Sequence, residues 1–100
     1  MTITTSVSKD GDLVTIHVNG RFDFATHQEF MRAYKQHPRG EMSFVVDLKN
    51  TDYMDSSAMG MLLQLRDYSN RNRMTELANS NDGVRQILRI ANFDKIFSVA

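Results

Sequence analysis

One hundred residues suit one domain, since domains run from about 50 to 250 residues, and a chain of this length buries enough surface for a core without staples. Lys+Arg and Asp+Glu are 12 each, so the formal net charge is zero, which argues against a nucleic-acid binder working through phosphate electrostatics. Cysteine is absent, which excludes disulfides, thiolate metal sites, iron–sulfur clusters and thiol catalysis. The longest apolar run, Ala58–Leu63, is six residues counting Gly60, against the roughly 20 of a membrane helix. Met1 to Thr5 has neither the basic flank nor the apolar stretch of a signal peptide. A soluble, cytoplasmic protein without membrane insertion is expected.

Residues 2–8, rich in Thr, Ile, Val and Ser, read as a strand, and Lys9-Asp10-Gly11-Asp12 as a hairpin turn. Leu13–Val18 is the return strand, ended by Asn19-Gly20, so the first two strands are expected to be antiparallel. Ala25–Gln36 carries Phe30, Met31, Ala33 and Tyr34 at near-helical spacing, with Thr26 and Glu29 placed as a capping box, and His37-Pro38-Arg39-Gly40 stops that helix. Met42–Leu48, with Phe44-Val45-Val46, reads as a central strand buried on both faces. Asp47–Tyr53 reads as a polar loop, and a second helix runs from about Asp55 to Asn72. Within it Ala58, Met61, Leu62, Leu65 and Tyr68 form the expected buried stripe.

Arg73–Asn79 has no clean alternation and is placed as a strand because a crossover helix returns the chain to the sheet. Asn81-Asp82 opens a third helix with Val84, Ile87, Leu88 and Ala91 on one stripe, Asn92 ends it, and Lys95–Val99 is a last short strand. The order β-β-α-β-α-β-α-β predicts an α/β domain over residues 1–100, a mixed sheet with packed helices and an N-terminal hairpin.

Most sites suggested by residue type have plain explanations. His17, His27 and His37 share no metal-ligand spacing and no acidic partner at such spacing, so no metal site is expected. Met31, Met42, Met54, Met59, Met61 and Met74 fall mostly at expected core positions, although methionine also serves adaptable binding surfaces. Arg66, Arg71 and Arg73 are interleaved with Asp67 and Glu76, which suits a solvated helix end. No phosphate-binding glycine loop and no nucleophile elbow is present.

The segment Tyr53-Met54-Asp55-Ser56-Ser57-Ala58-Met59-Gly60-Met61-Leu62-Leu63 stands apart. Its plain reading is a helix start, because Asp and Ser side chains accept orphan first-turn amides. It also follows a buried strand, where α/β sheets place their ligands. It sets two consecutive hydroxyls at a helix N-terminus, a position that favours added phosphate, between Met54 and Met59.

These residues carry a resemblance. Asp55-Ser56-Ser57-Ala58-Met59-Gly60-Met61-Leu62-Leu63 resembles the D-S-S-G-L-G-x-L-L signature of STAS domains, specifically of bacterial anti-sigma factor antagonists. Gly20-Arg21-Phe22-Asp23, Phe44-Val45-Val46-Asp47-Leu48 and Ile90-Ala91-Asn92-Phe93-Asp94-Lys95-Ile96-Phe97 are similar to that family's segments in the same order. The resemblance implies a regulatory binding protein with no catalytic residues and no cofactor. It implies a phosphate acceptor at Ser56, with Ser57 as the second choice. The phosphate would be added by a partner serine kinase, often the anti-sigma factor itself, and removed by a PP2C-type phosphatase. Ala58 departs from the family's glycine, and the family's usual final helix has no counterpart before Ala100, which leaves room for a homodimer.

Met59 and Leu63 lie one turn apart on the shoulder of the second helix, outside the core stripe. With Asp23, Met54, Asp55 and Ser57 they form the expected partner surface. Two rivals remain. One is a STAS subunit of a transport or signalling assembly that binds its partner without phosphorylation. The other is a small hydrolase using Ser56, which needs a general base within hydrogen-bond reach.

Overall fold

A computed structural model describes residues 2–99; residues 1 and 100, the ends of the expected domain, lie outside the described residues. The order is β1 (Ile3–Val7), β2 (Leu13–Val18), β3 (Gly20–Phe22), α1 (His27–Lys35), β4 (Ser43–Asp47), β5 (Thr51–Met54), α2 (Ser56–Tyr68), β6 (Glu76–Ala78), α3 (Asp82–Ile90) and β7 (Ser98–Val99). Five strands form the main sheet in the order β1-β2-β4-β6-β7, and β3 pairs with β5 in a small second sheet. β1 and β2 are antiparallel, and every later pairing is parallel. The mixed α/β sheet with its N-terminal hairpin is therefore as expected.

The two sheets are one ladder with a bend. β2 runs beside β4 from Leu13↔Ser43 to His17↔Asp47. Beyond the bend, β3 continues β2 and β5 continues β4, from Gly20↔Thr51 to Phe22↔Met54, with a register shift between Gly20 and Arg21. Gly20 makes the bend possible with φ of +88°, a region that side chains with a Cβ rarely enter. Thr51 closes the bend. Its Oγ1 donates to Val18 O at 2.8 Å in a buried setting, supplying the partner that a buried carbonyl requires. The expected polar loop at Asp47–Tyr53 thus contains a strand, β5, and the Gly20–Phe22 strand was not anticipated.

Strand alternation puts Val14, Ile16, Val18, Phe44, Val46 and Leu77 on the face that packs against the helices. Thr15, His17, Val45 and Asp47 point the other way and are half-buried. β4 is therefore fully buried on one face and only partly on the other, where Val45 and Asp47 are half-buried, and not on both as Phe44-Val45-Val46 suggested. The helices complete the core with Phe30, Tyr34, Ala58, Met61, Leu62, Leu65, Val84 and Leu88. An aromatic chain links α1 to its neighbours, with ring centroids 5.0 Å apart for Phe22–Phe30, 5.9 Å for Phe30–Tyr34 and 5.0 Å for Tyr34–Tyr68.

Several boundaries shift. The expected helix at 25–36 is a 3-10 turn, Phe24–Thr26, followed by α1. Thr26 caps nothing with its side chain; its Oγ1 donates to Asp23 O (2.7 Å), and Asp23 caps the turn instead by accepting from the Ala25 amide (3.1 Å). α2 stops at Tyr68, where the Ser69 hydroxyl turns back to Arg66 O (2.9 Å). Asn92 does end the third helical segment, in the left-handed conformation at φ of 62° that asparagine tolerates. The last strand shortens to Ser98–Val99 because Phe93–Lys95 is a 3-10 turn. Met42, Met54 and Met61 are core, while Met74 is exposed.

Ala58, Met61, Leu62 and Leu65 are all buried in α2, with Tyr68 packed at the margin. Leu62→Ala and Leu65→Ala should each lower the unfolding free energy by about 2–5 kcal/mol, the cost of truncating a buried leucine. Chemical denaturation of the two variants checks this.

Candidate functional site

The β3–β5 pairing builds the site. Because Phe22 and Met54 are register partners, the strands end side by side, and each is followed by an aspartate that opens a helical turn. Asp23 accepts from the Ala25 amide and from Arg21 Nε (3.2 Å). Asp55 caps α2, its Oδ1 accepting from the Ala58 amide (3.1 Å). The neighbouring register pair, Arg21 and Tyr53, stacks the guanidinium 3.9 Å from the ring centroid, a cation–π contact.

Ser56 is the first residue of α2 and is exposed; Ser57 is half-buried. The Ser56 and Ser57 amides belong to the orphan set of a helix start, and the dipole there favours negative charge. At about 100° per residue, Met59, Gly60 and Leu63 follow Ser56 along one face at i+3, i+4 and i+7. Leu63 is 41% exposed, while Met59 is half-buried against the core. Arg66, one turn beyond, donates from Nε to Ile96 O (3.2 Å), so this flank runs along the turn before β7. Gly60 leaves a bare notch: a Cβ built there meets nothing within 4 Å.

Of the residues expected to face a partner, Asp23, Asp55, Ser56, Ser57, Met59 and Leu63 lie around this strand end and helix start. Met54 is corrected: it is 4% exposed and points into the core, at the buried end of a strand whose two middle residues, Asp52 and Tyr53, are the exposed ones. Sequence reasoning also missed Tyr53 and Phe24, the latter 72% exposed and stacked on His27 at 5.7 Å between ring centroids. The signal for Tyr53 was slight, since a four-residue strand has hardly a period to read.

A second cluster also lies at the strand ends and was not anticipated. His17 Nδ1 lies 2.9 Å from Asp47 Oδ2. Asp47 Oδ1 accepts from the Lys49 amide and from Asn79 Nδ2, both at 3.0 Å. Ser6 Oγ is 3.4 Å from His17 Nε2 on the exposed sheet face. Burial pushes the Asp47 carboxyl up, but the hydrogen bonds from Asn79, Lys49 and His17 outweigh it and hold the carboxyl below its ordinary value. Neither His17 nor the other two histidines hydrogen-bonds Ser56 or Ser57 among the described residues; His27 stacks on Phe24 and His37 on the edge of Phe44. The described residues contain no cluster of three or more His, Cys, Asp or Glu able to hold a metal, and no helix long and apolar enough to cross a membrane.

A family model described as "Mlab, STAS domain" matches residues 5–99. The chain belongs to the STAS-domain family. A STAS-domain containing protein of Pseudomonas aeruginosa (strain UCBPP-PA14) is 46% identical over 101 residues, covering 100% of both chains. Among solved structures, a candidate anti-sigma factor antagonist from Thermotoga maritima superposes with a TM-score of 0.81 at 18% identity, over 97% of this chain and 84% of that one. The Bacillus cell fate determinant SpoIIAA in its phosphorylated form gives 0.65 at 18% identity, over 98% and 90%. At such identities the structural likeness is one of fold, and this STAS domain shares that fold with anti-sigma factor antagonists.

The Asp47 cluster yields a pH signature. Its folded-state pKa lies below the ordinary 3.8, so the stability it lends is fully present above that range and is lost as pH falls through the folded value. Asp47→Asn should therefore melt lower than wild type at neutral pH, and the gap should close on acidification below pH 4. Thermal melts of the pair across that range check it.

Proposed function

We propose that this STAS domain, acting as one unit over residues 1–100, is a phosphorylation-regulated binding switch and not an enzyme. It holds an anti-sigma factor or related serine kinase while Ser56 is free, releases it when Ser56 carries phosphate, and is reset by a PP2C-type phosphatase. The setting is the cytoplasm and the outcome is control of transcription by partner switching. The observation that carries this reading is the placement of Ser56: exposed, first in α2, beside the cap Asp55, and heading the face that bears Met59, Gly60 and Leu63. Asp23, Asp55 and Ser57 flank that face and complete the surface a partner would cover.

Phosphate on Ser56 adds about −1.5 to −2 charge at neutral pH. In the free domain the anion sits at a helix N-terminus, which favours it by roughly 0.3–1 kcal/mol. The fold therefore tolerates the modification without rearrangement. Binding is different, because a partner that covers Ser56 desolvates the anion beside the Asp55 carboxylate. Two unit charges about 5 Å apart at an effective dielectric near 20 repel by roughly 3 kcal/mol, which is about a hundredfold in affinity.

The notch at Gly60 fits the same surface. A mid-helix glycine costs about 1 kcal/mol relative to alanine, and among the described residues nothing outside the local turn of α2 lies within 4 Å of the space. A partner backbone approaching α2 closely would need it.

The test begins with phosphate mapping on protein from its native cell and a pull-down with wild-type, Ser56→Ala and Ser56→Asp baits. Calorimetric titration of the captured partner follows. Ser56→Ala should bind like the free form and Ser56→Asp about a hundredfold more weakly, or somewhat less, since one carboxylate mimics a dianion in part. Equal affinities for the three forms would leave Ser56 a plain helix position and favour a STAS subunit that binds without phosphorylation. Gly60→Ala separates surface from stability: it should raise the unfolding free energy by about 0.5–1 kcal/mol while weakening partner binding in the same titration.

A further inference from the structure

We propose that β1 pairs edge to edge with a second copy of this chain, antiparallel about a two-fold axis at Thr5. β1 is an outer strand of the main sheet, and its ladder parity shows which backbone groups are free. Asn19 N donates to Thr2 O (2.8 Å), and Ser8 N donates to Leu13 O (2.9 Å). In an antiparallel pair, residues that exchange hydrogen bonds alternate with residues that do not. Thr2 and Ser8 therefore fix Thr4 and Ser6 as the residues bonded to β2. The N–H and C=O groups of Ile3, Thr5 and Val7 point away from the sheet.

Natural sheet edges are blunted with lysine, proline, bulges or short strands. β1 has none of these: Ile3-Thr4-Thr5-Ser6-Val7 is uncharged, largely β-branched, and in unbroken register with β2 over all five residues. The free groups are also spaced symmetrically about Thr5. Antiparallel pairing centred there sets Thr5 against Thr5 and Ile3 against Val7 of the second copy, each pair exchanging both of its hydrogen bonds. Ile3, Thr5 and Val7 share the face on which α1 lies. Val7, which is 51% exposed, would gain Ile3 of the second copy as its cross-strand neighbour.

The rim of that edge selects a second copy over an unrelated strand. A groove of about 400 Å³ between β1 and α1 has Ile3, Thr5, Glu29, Arg32, Ala33 and Gln36 among its lining residues. Glu29 and Arg32 are one turn apart on α1, and neither is in an ion pair among the described residues. A two-fold axis makes a patch face itself. A patch with one acid and one base side by side then meets its own complement, Glu29 against Arg32 in both directions. The product is one continuous sheet through both copies, with Ser56 on α2 left clear of the β1 edge.

Sedimentation over a concentration series, with residue-resolved amide exchange on the same samples, tests the pairing. The purified chain should dimerise, and the Ile3, Thr5 and Val7 amides should gain protection as concentration rises, while those of Thr4 and Ser6 are protected throughout. Val7→Lys, at an exposed position, should weaken the dimer by at least about tenfold, with a melting curve that matches wild type at concentrations low enough for both to be monomeric. Glu29→Arg should weaken it similarly, and the Glu29→Arg/Arg32→Glu double variant should restore it. A chain that stays monomeric, or a dimer in which the Ile3, Thr5 and Val7 amides exchange freely, overturns the proposal, as does a dimer that Val7→Lys leaves intact. Protection of those amides only on addition of an unrelated extended peptide, without self-association, overturns it in favour of a heterologous strand.

Discussion

The bent parallel ladder is the constraint on which the rest of this molecule depends. Parallel strands need a crossover connection, so pairing β2 with β4 obliges α1 to cross between them. Carrying the pairing past the bend as β3 and β5 then fixes where α1 and α2 begin. The bend leaves Val18 O without a ladder partner in the interior, and Thr51 supplies one through its hydroxyl. Removing a buried acceptor's partner costs on the order of 1–3 kcal/mol, so this one threonine holds the junction of both sheets. Asn50 Nδ2 reaching Asn19 Oδ1 at 3.1 Å reinforces it from the surface.

The same geometry explains why the carboxylates gather where they do. Asp23, Asp47 and Asp55 each follow or end a strand, and each turns its side chain back onto main-chain amides of the next segment. Strand ends leave amides unpaired, and a short acidic side chain is a compact way to satisfy them. Asp47 goes further by joining β2, β4 and the Asn79 turn through His17 and Asn79. Ser56 thus stands at a strand-to-helix joint, directly after the cap Asp55 and first in α2.

Sequence patterning carried the long elements because they repeat. The alternation in Leu13–Val18 and the stripe Ala58, Met61, Leu62, Leu65 each give several repeats of evidence; the strand stands where it was expected, and α2 starts where it was expected but ends four residues early, at Tyr68. β3 and β5 could not be read this way: at three and four residues they hold by pairing with each other, a long-range contact that no local pattern records. Thr26 and Glu29 had capping-box spacing, yet Asp23 captured the turn because the strand end before it delivered a better acceptor to the Ala25 amide. Asp55 was legible as a cap, and Ser56 as the exposed hydroxyl after it. Met54 was misplaced because its neighbours looked like loop, and the His17–Asp47 contact was invisible because it joins residues 30 apart in sequence.

The β1–β2 hairpin closes over a short turn, whereas β2–β4 and β3–β5 each close over a whole helix. Chain entropy makes such distant pairings late events in folding. During synthesis the hairpin and α1 leave the ribosome first, and the strand that leads into α2 has no partner until β5 finds β3. The start of α2 therefore reaches its place beside Asp23 only when the chain through Met54 is made and paired.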